Sequence, residues 1–249
     1  MHDHAMHENR AAMCGRCIAE TILMNTKEKI GVMCLAIGVI ACPAQAKVED
    51  RAGSVQVKAF ATGVVPDGKI TRVDIDLVGL PADTQTEAND NYVPTIAIEY
   101  FVTENFSLET ICCLTQHDVD GTTGLPGAEL VSNAKLIPAT MTLKYHFDAG
   151  ALKPYIGVGP SYFLWIDDEP GAATIPLGVT DFKLSDELGF ALQAGADMKL
   201  NESGLAFSID AKRYFIDTTA RWFAGTAVAI QTKHKLDPWV VSAGLAYSF

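Results

Sequence analysis

Apolar and polar side chains alternate with a period of two along most of the chain from about residue 55. The clearest case is Ala139, Met141, Leu143, Tyr145 and Phe147 set against Thr140, Thr142, Lys144 and His146. Leu188, Phe190, Leu192, Ala194, Ala196, Met198 and Leu200 stand in the same way opposite Gly189, Ala191, Gln193, Gly195, Asp197 and Lys199. A helix would scatter these residues around its circumference, whereas a strand sends successive side chains to opposite faces. Weaker alternation marks Val55, Val57 and Ala59; Ile96, Ile98, Tyr100 and Val102; Phe106 and Leu108 into Cys112 and Leu114; Ile156, Val158, Tyr162 and Leu164; and Leu205, Phe207 and Ile209. The last segment, residues 237–249, puts Trp239, Val241, Ala243, Leu245, Tyr247 and Phe249 on one face and small or hydroxyl residues on most of the other. The pattern predicts about eight strands.

The connections alternate in length. Short turns are predicted at residues 103–105, 148–152 and 201–204, and long polar stretches at 66–91, 116–135, 166–187 and 218–236. Short turns at one rim and long loops at the other is the layout of a single-chain transmembrane barrel. Lipid also demands closure, because an open sheet edge would leave N–H and C=O groups unpaired in hydrocarbon. The expectation is therefore an all-β, eight-stranded antiparallel transmembrane β-barrel with short periplasmic turns and long extracellular loops. A soluble barrel with an apolar interior is the competing reading. Against it, the second face is rich in Gly, Ala and Ser, which suits a cramped lumen. Tyr100, Tyr145, Phe147, Tyr162, Trp239, Tyr247 and Phe249 also fall near strand ends on the apolar face, as interfacial girdles do. A chain ending on Phe249 after Trp239 and Tyr247 looks like the closing strand of a bacterial outer-membrane barrel; these three are the expected assembly signal.

The N-terminus adds an address. Lys27 and Lys29, the apolar run 30–42 and the Ala44-Gln45-Ala46 site read as a secretory signal peptide over residues 24–46. Residues 1–23 then form an upstream extension outside the fold, and 47–249 the barrel. A lipoprotein box ending at Cys42 is the rival to cleavage after Ala46. His2, His4, His7 and the Cys14–Cys17 pair sit in the leader and are not read as a metal or redox site. Cys112 and Cys113 are adjacent, so they point to opposite faces of a strand and do not bridge each other. The net charge of −11 argues against nucleic acid.

Several segments in register with these strands resemble the OmpW family of small outer-membrane proteins. They are R-A-G-S at 51–54, T-E-N-F-S-L-E at 103–109, L-I-P-A-T-M-T-L-K-Y-H-F at 136–147, K-P-Y-I-G-V-G at 153–159, L-S-D-E-L-G-F-A-L-Q-A-G-A-D at 184–197, I-D-T-T-A at 216–220 and L-D-P-W-V at 236–240. The resemblance implies a narrow lumen that passes small, often hydrophobic molecules from outside and releases them sideways into the membrane. It also implies a constriction between a Leu and a Trp, positions that align here with Ile111 and Lys212. An ammonium in place of an indole would make that constriction charged and wetter. Outer-membrane lipid, lipopolysaccharide and the barrel assembly machinery are the expected partners in Gram-negative bacteria.

The inward register adds Lys58, Glu99, Glu109, Lys144, His146, Asp197, Lys199 and Asp210. These charges either pair and seal the lumen or leave a wet passage. The rival function is a sealed barrel working through its loops as anchor, adhesin or receptor. Loop acids such as Asp74, Asp76, Asp83, Glu87, Asp90, Asp167, Asp168 and Glu169 would then meet lipopolysaccharide through divalent cations. No Ser has a recognisable nucleophile context beside His117, His146 or His234, so no catalytic residue, enzyme activity, cofactor or resident metal is expected. Arg213 falls on the outward face and is expected at the outer rim, since a cation at mid-depth facing lipid is costly.

Overall fold

The computed structural model describes residues 51–249; the upstream extension, the signal peptide and both cleavage alternatives lie outside the described residues. In chain order the strands are β1 Val55–Val65, β2 Lys69–Asp76, β3 Thr86–Ala88, β4 Asn91–Phe101, β5 Phe106–Cys112, β6 Thr115–Gly121, β7 Glu129–His146, β8 Leu152–Pro170, β9 Asp181–Leu184, β10 Glu187–Lys199, β11 Leu205–Phe215, β12 Asp217–Ala224, β13 Ala227–Lys235 and β14 Trp239–Ser248. Eight of them close an antiparallel ring in the order β1, β4, β5, β7, β8, β10, β11, β14 and back to β1. The closing pair runs from Gln56 opposite Ser248 to Val65 opposite Trp239.

Alternation sorts the two faces as the residues require. Ile96, Met141, Ile156, Ile209 and Val241 are about half exposed on the outside, at 50–55%. That is a lipid-facing belt rather than an uncovered core. Aromatic pairs ring its ends: Tyr145 stacks edge-on to Phe147 and Phe106, and Tyr247 to Phe249, near the short turns, while Phe190 stacks on Phe215 towards the other rim. The lean face lets strands pass closely. A Cβ at Gly244 would lie 1.9 Å from the Ala59 carbonyl oxygen, and one at Gly159 would lie 1.9 Å from that of Met141. Only glycine fits such an approach.

The long polar stretches are not open loops. β7 and β8 are 18 and 19 residues long, where about 10 residues suffice to cross a bilayer. Their surplus, paired strand to strand, projects beyond the membrane and needs further partners at its edges. β3 and β6 pair onto this extension, and β2, β13, β12 and β9 form a second, four-stranded sheet continuing the wall. Its inner face buries Phe182, Ala220, Trp222 and Ile230 against Val131, Ala134 and Val179. The Phe182 and Trp222 rings lie 4.8 Å apart, and the Trp222 indole donates to the Leu130 carbonyl at 3.1 Å.

Candidate functional site

Seven of the eight barrel strands send a polar side chain into one buried layer of the lumen. Lys58 from β1 lies 2.9 Å from Glu99 of β4, 3.2 Å from Asp197 of β10 and 3.7 Å from Glu109 of β5. Lys144 from β7 lies 2.9 Å from Glu99 and 2.8 Å from Glu109. Lys212 from β11 lies 3.1 Å from Glu109 and 2.7 Å from its strand neighbour Asp210. Each is buried, and three ammonium groups face four carboxylates. Burying so many charges is costly unless each is paired and hydrogen-bonded, and neutral groups complete that pairing. The Gln193 amide donates to Glu109 at 2.8 Å and to Asp210 at 2.6 Å, and accepts from Thr142 at 2.6 Å. Tyr155 donates to Asp210 at 2.8 Å while its ring lies 3.7 Å from the Lys144 ammonium. Ser208 donates to Asp197 at 2.6 Å. His146 lies 2.7 Å from Glu99 and 2.9 Å from Ser107 through Nε2.

The layer therefore gathers Lys58, Glu99, Glu109, Lys144, His146, Asp197, Asp210 and Lys212. Lys199 stands apart: it is 45% exposed at the short-turn rim and paired with Glu202 at 2.7 Å. It is the last residue of β10, opposite Ala206, where the strand reaches the edge of the barrel. Ile111 is buried against Phe60, Ala97 and Cys113, just above the layer. Lys212 does not face Ile111 across a gap; its ammonium is drawn into the ion pairs, and Tyr214, two residues on, is the aromatic side chain above it. Tyr155 and Gln193 in the layer, and Tyr214 above it, are the large side chains that sequence reasoning missed. All three lie on the small-residue face of their strands, where a large side chain has only the lumen to enter.

Above the layer the lumen changes character. A cavity of about 100 Å³ is lined by Val64, Ile111, Cys113, Leu136, Phe163, Tyr214 and Val240, and higher up by Trp165, Phe182, Trp222 and Leu236. His117 and His234 belong to this upper wall. Burial pushes the His234 imidazole down to about 4, and its Nε2 lies 2.7 Å from Thr232. Among the described residues there is no cluster of His, Cys, Asp and Glu that would hold a metal.

The wall beside the cavity has a break. β4 pairs with β5 only up to Ile96 opposite Cys112, and β6 pairs with β7 and β3 instead of continuing along β4. Residues 92–95 therefore lack a ladder on that side, and the Asn91 amide closes the top by donating to the Gln116 carbonyl at 2.7 Å. Pro94 within the break has no N–H to leave unpaired. Arg213 sits at the long-loop end of β11, 2.6 Å from Asp67 and over the Trp239 ring at 5.3 Å, rather than at mid-depth.

Comparison with known proteins agrees with this architecture. The OmpW family model matches residues 51–249. An uncharacterized outer-membrane protein of Sinorhizobium fredii is 35% identical over 188 residues, 73% of this chain and 76% of its own. Outer membrane protein W of Vibrio cholerae is 28% identical over 203 residues, 79% of this chain and 89% of its own. The crystal structure of OprG from Pseudomonas aeruginosa superposes with a TM-score of 0.71 at 25% identity, covering 80% of this chain and 97% of that one. The solid-state NMR structure of AlkL superposes with a TM-score of 0.65 at 23% identity, covering 84% and 95%. The chain belongs to the OmpW family and is an outer-membrane β-barrel of Gram-negative bacteria.

Proposed function

We propose that this barrel is a narrow route for passive uptake of small, largely hydrophobic molecules, with its long-loop rim outside the cell and its short turns in the periplasm. The observation that carries the reading is an apolar cavity standing on a fully paired, buried polar floor. An apolar molecule gains by entering the cavity, since about 25 cal/mol is recovered per Å² of apolar surface removed from water. It gains nothing by forcing the floor, where each ion pair it displaced would lose its partner. The break beside Cys113, which lines the cavity, gives it a sideways exit into lipid. Ile111 and Tyr214 form the step between chamber and floor, and Lys212 works within the floor.

The test is uptake of an apolar fluorescent dye by cells carrying the protein. Filling the cavity with Val64→Trp or Leu136→Trp is expected to lower the initial rate towards that of cells without the protein. Heat-modifiable migration on a gel would show that the variants fold. Uptake unchanged by both substitutions would move the function to the loops, as anchor, adhesin or receptor. Ion conductance of the purified protein in planar bilayers is expected to stay at baseline; steady openings would show that the floor is a pore.

A further inference from the structure

The four-stranded sheet that extends the wall has two unlike faces. Its inner face is the apolar wall of the cavity. The register, with a bulge in β2 between Ile70 and Arg72, puts Lys69 and Arg72 of β2, Lys233 and Lys235 of β13, Arg221 of β12 and Lys183 of β9 on the outer face. In a chain of net charge −11, six of its 19 lysines and arginines share this one face. The register sharpens the segregation, because Lys69 is directly opposite Lys235 and Arg72 directly opposite Lys233. Like charges opposed across a ladder destabilise it.

Carboxylates of the chain answer only part of this charge. Asp74 holds Arg72, Asp237 lies 2.9 Å from Lys235, and Asp168 lies 2.7 Å from Lys183. Asp181 and Asp217 also stand on the face. Lys69 and Lys233 make no ion pair among the described residues, while the Arg72 and Lys235 side chains are 62% and 48% exposed. The Lys69 and Lys235 pair lies at the foot of the sheet, close in sequence to Asp67 and Trp239, where Arg213 marks the aromatic girdle.

We propose that this face docks the phosphorylated saccharide headgroups of the surrounding lipopolysaccharide, with phosphates seated against the Lys69–Lys235 and Arg72–Lys233 pairs. The sheet continues the barrel wall, so its outer face looks sideways into the headgroup layer, and phosphate supplies the counter-charge that Lys69 and Lys233 lack. The inference rests on the orientation proposed above and not on uptake. The cations left without a carboxylate are Lys69 and Lys233, one in each pair, and direct phosphate contact to them differs from contact through loop carboxylates and bridging divalent cations, which a chelator would abolish.

The experiment compares protein purified from outer membranes with a Lys69→Ser/Lys233→Ser variant, using native mass spectrometry to count bound bisphosphorylated lipid A and its phosphate-free form. Two surface cations near an anionic headgroup layer correspond to about thirtyfold in affinity. The variant is expected to lose that much for the bisphosphorylated form and nothing for the phosphate-free form, with EDTA present or absent. A Lys153→Ser/Lys199→Ser variant at the other rim is expected to bind as the parent does. Equal binding by both variants, loss in EDTA alone, or displacement of lipid A by inorganic phosphate would each overturn the proposal. An epitope inserted between Gly225 and Thr226 must be detected by antibody on intact cells; its absence there would overturn the orientation, and the docking with it.

Discussion

At the scale of single residues the floor depends on Glu109, which lies within 4 Å of three lysines from three strands. Glu109→Gln leaves Lys144 and Lys212 each with one carboxylate fewer in a buried layer. Loss of one partner of a buried pair typically costs about 3–5 kcal/mol. The expected result is a lower urea midpoint for the folded barrel in lipid vesicles, with partial recovery on adding Lys212→Met. A second prediction concerns His234, whose imidazole is held down to about 4 by burial alone. Its folded-state affinity for protons is below the unfolded value of about 6.5, so the unfolded segment binds more protons between those limits. Neutral His234 costs nothing above pH 6.5, and stability is lost as pH falls from there through 4. Hydrogen exchange in β13, corrected for intrinsic chemistry, is expected to speed up over that window, and less so in a His234→Gln variant. Individual charges of the floor were legible in the sequence because period two placed Lys58, Glu99, Glu109, Lys144 and Asp210 on one face. Their pairing was not, since partners such as Lys58 and Asp197 are 139 residues apart.

At the scale of elements, the strands were legible wherever one face meets lipid, because that face tolerates only apolar side chains. β7 and β10 are the strongest examples. The wall extension was harder to see. Its strands alternate too, as Thr218, Ala220 and Trp222 against Thr219, Arg221 and Phe223 show, but outside the bilayer the outer face carries charge and reads as a polar loop. Lys199 failed for a related reason: alternation continues to the end of the strand, at the edge of the barrel. The closing seam gives the prediction at this scale. Gly244→Ala puts a methyl group against the Ala59 carbonyl, and overpacking of this kind costs about 1–3 kcal/mol. A smaller heat-resistant fraction is expected after refolding, with Ala246→Gly on the same strand as the milder comparison.

At the scale of the whole molecule, a buried layer of ion pairs crosses the lumen and the β4 edge lacks a ladder beside the apolar cavity. In the proposed route the paired layer closes the axis, and the missing ladder between β4 and β6 is the way out. Thr95 and Cys113 face each other across the break, one residue beyond the last paired position, and Cys113 carries a free thiol. Thr95→Cys is expected to form a disulfide with Cys113 under mild oxidation, tying the two edges together. Uptake of an apolar dye should then fall on oxidation and return on reduction. Uptake that ignores the state of this bond would place the exit elsewhere.

What the amino-acid sequence determined by itself was the ring of strands, their inward and outward faces, the rim position of Arg213 and the family. All of these follow from a local rule, the period-two contest between lipid and lumen, or from short segments read in order. Only the tertiary structure decided that the inward charges pair in one buried layer, that Lys212 is drawn into those ion pairs while Ile111 and Tyr214 line the cavity, and that the long connections are further wall. Those outcomes depend on which strands meet and at what height. Register between distant segments is set by ring closure and by the packing of side chains such as Tyr155 and Gln193, and no local pattern carries that information.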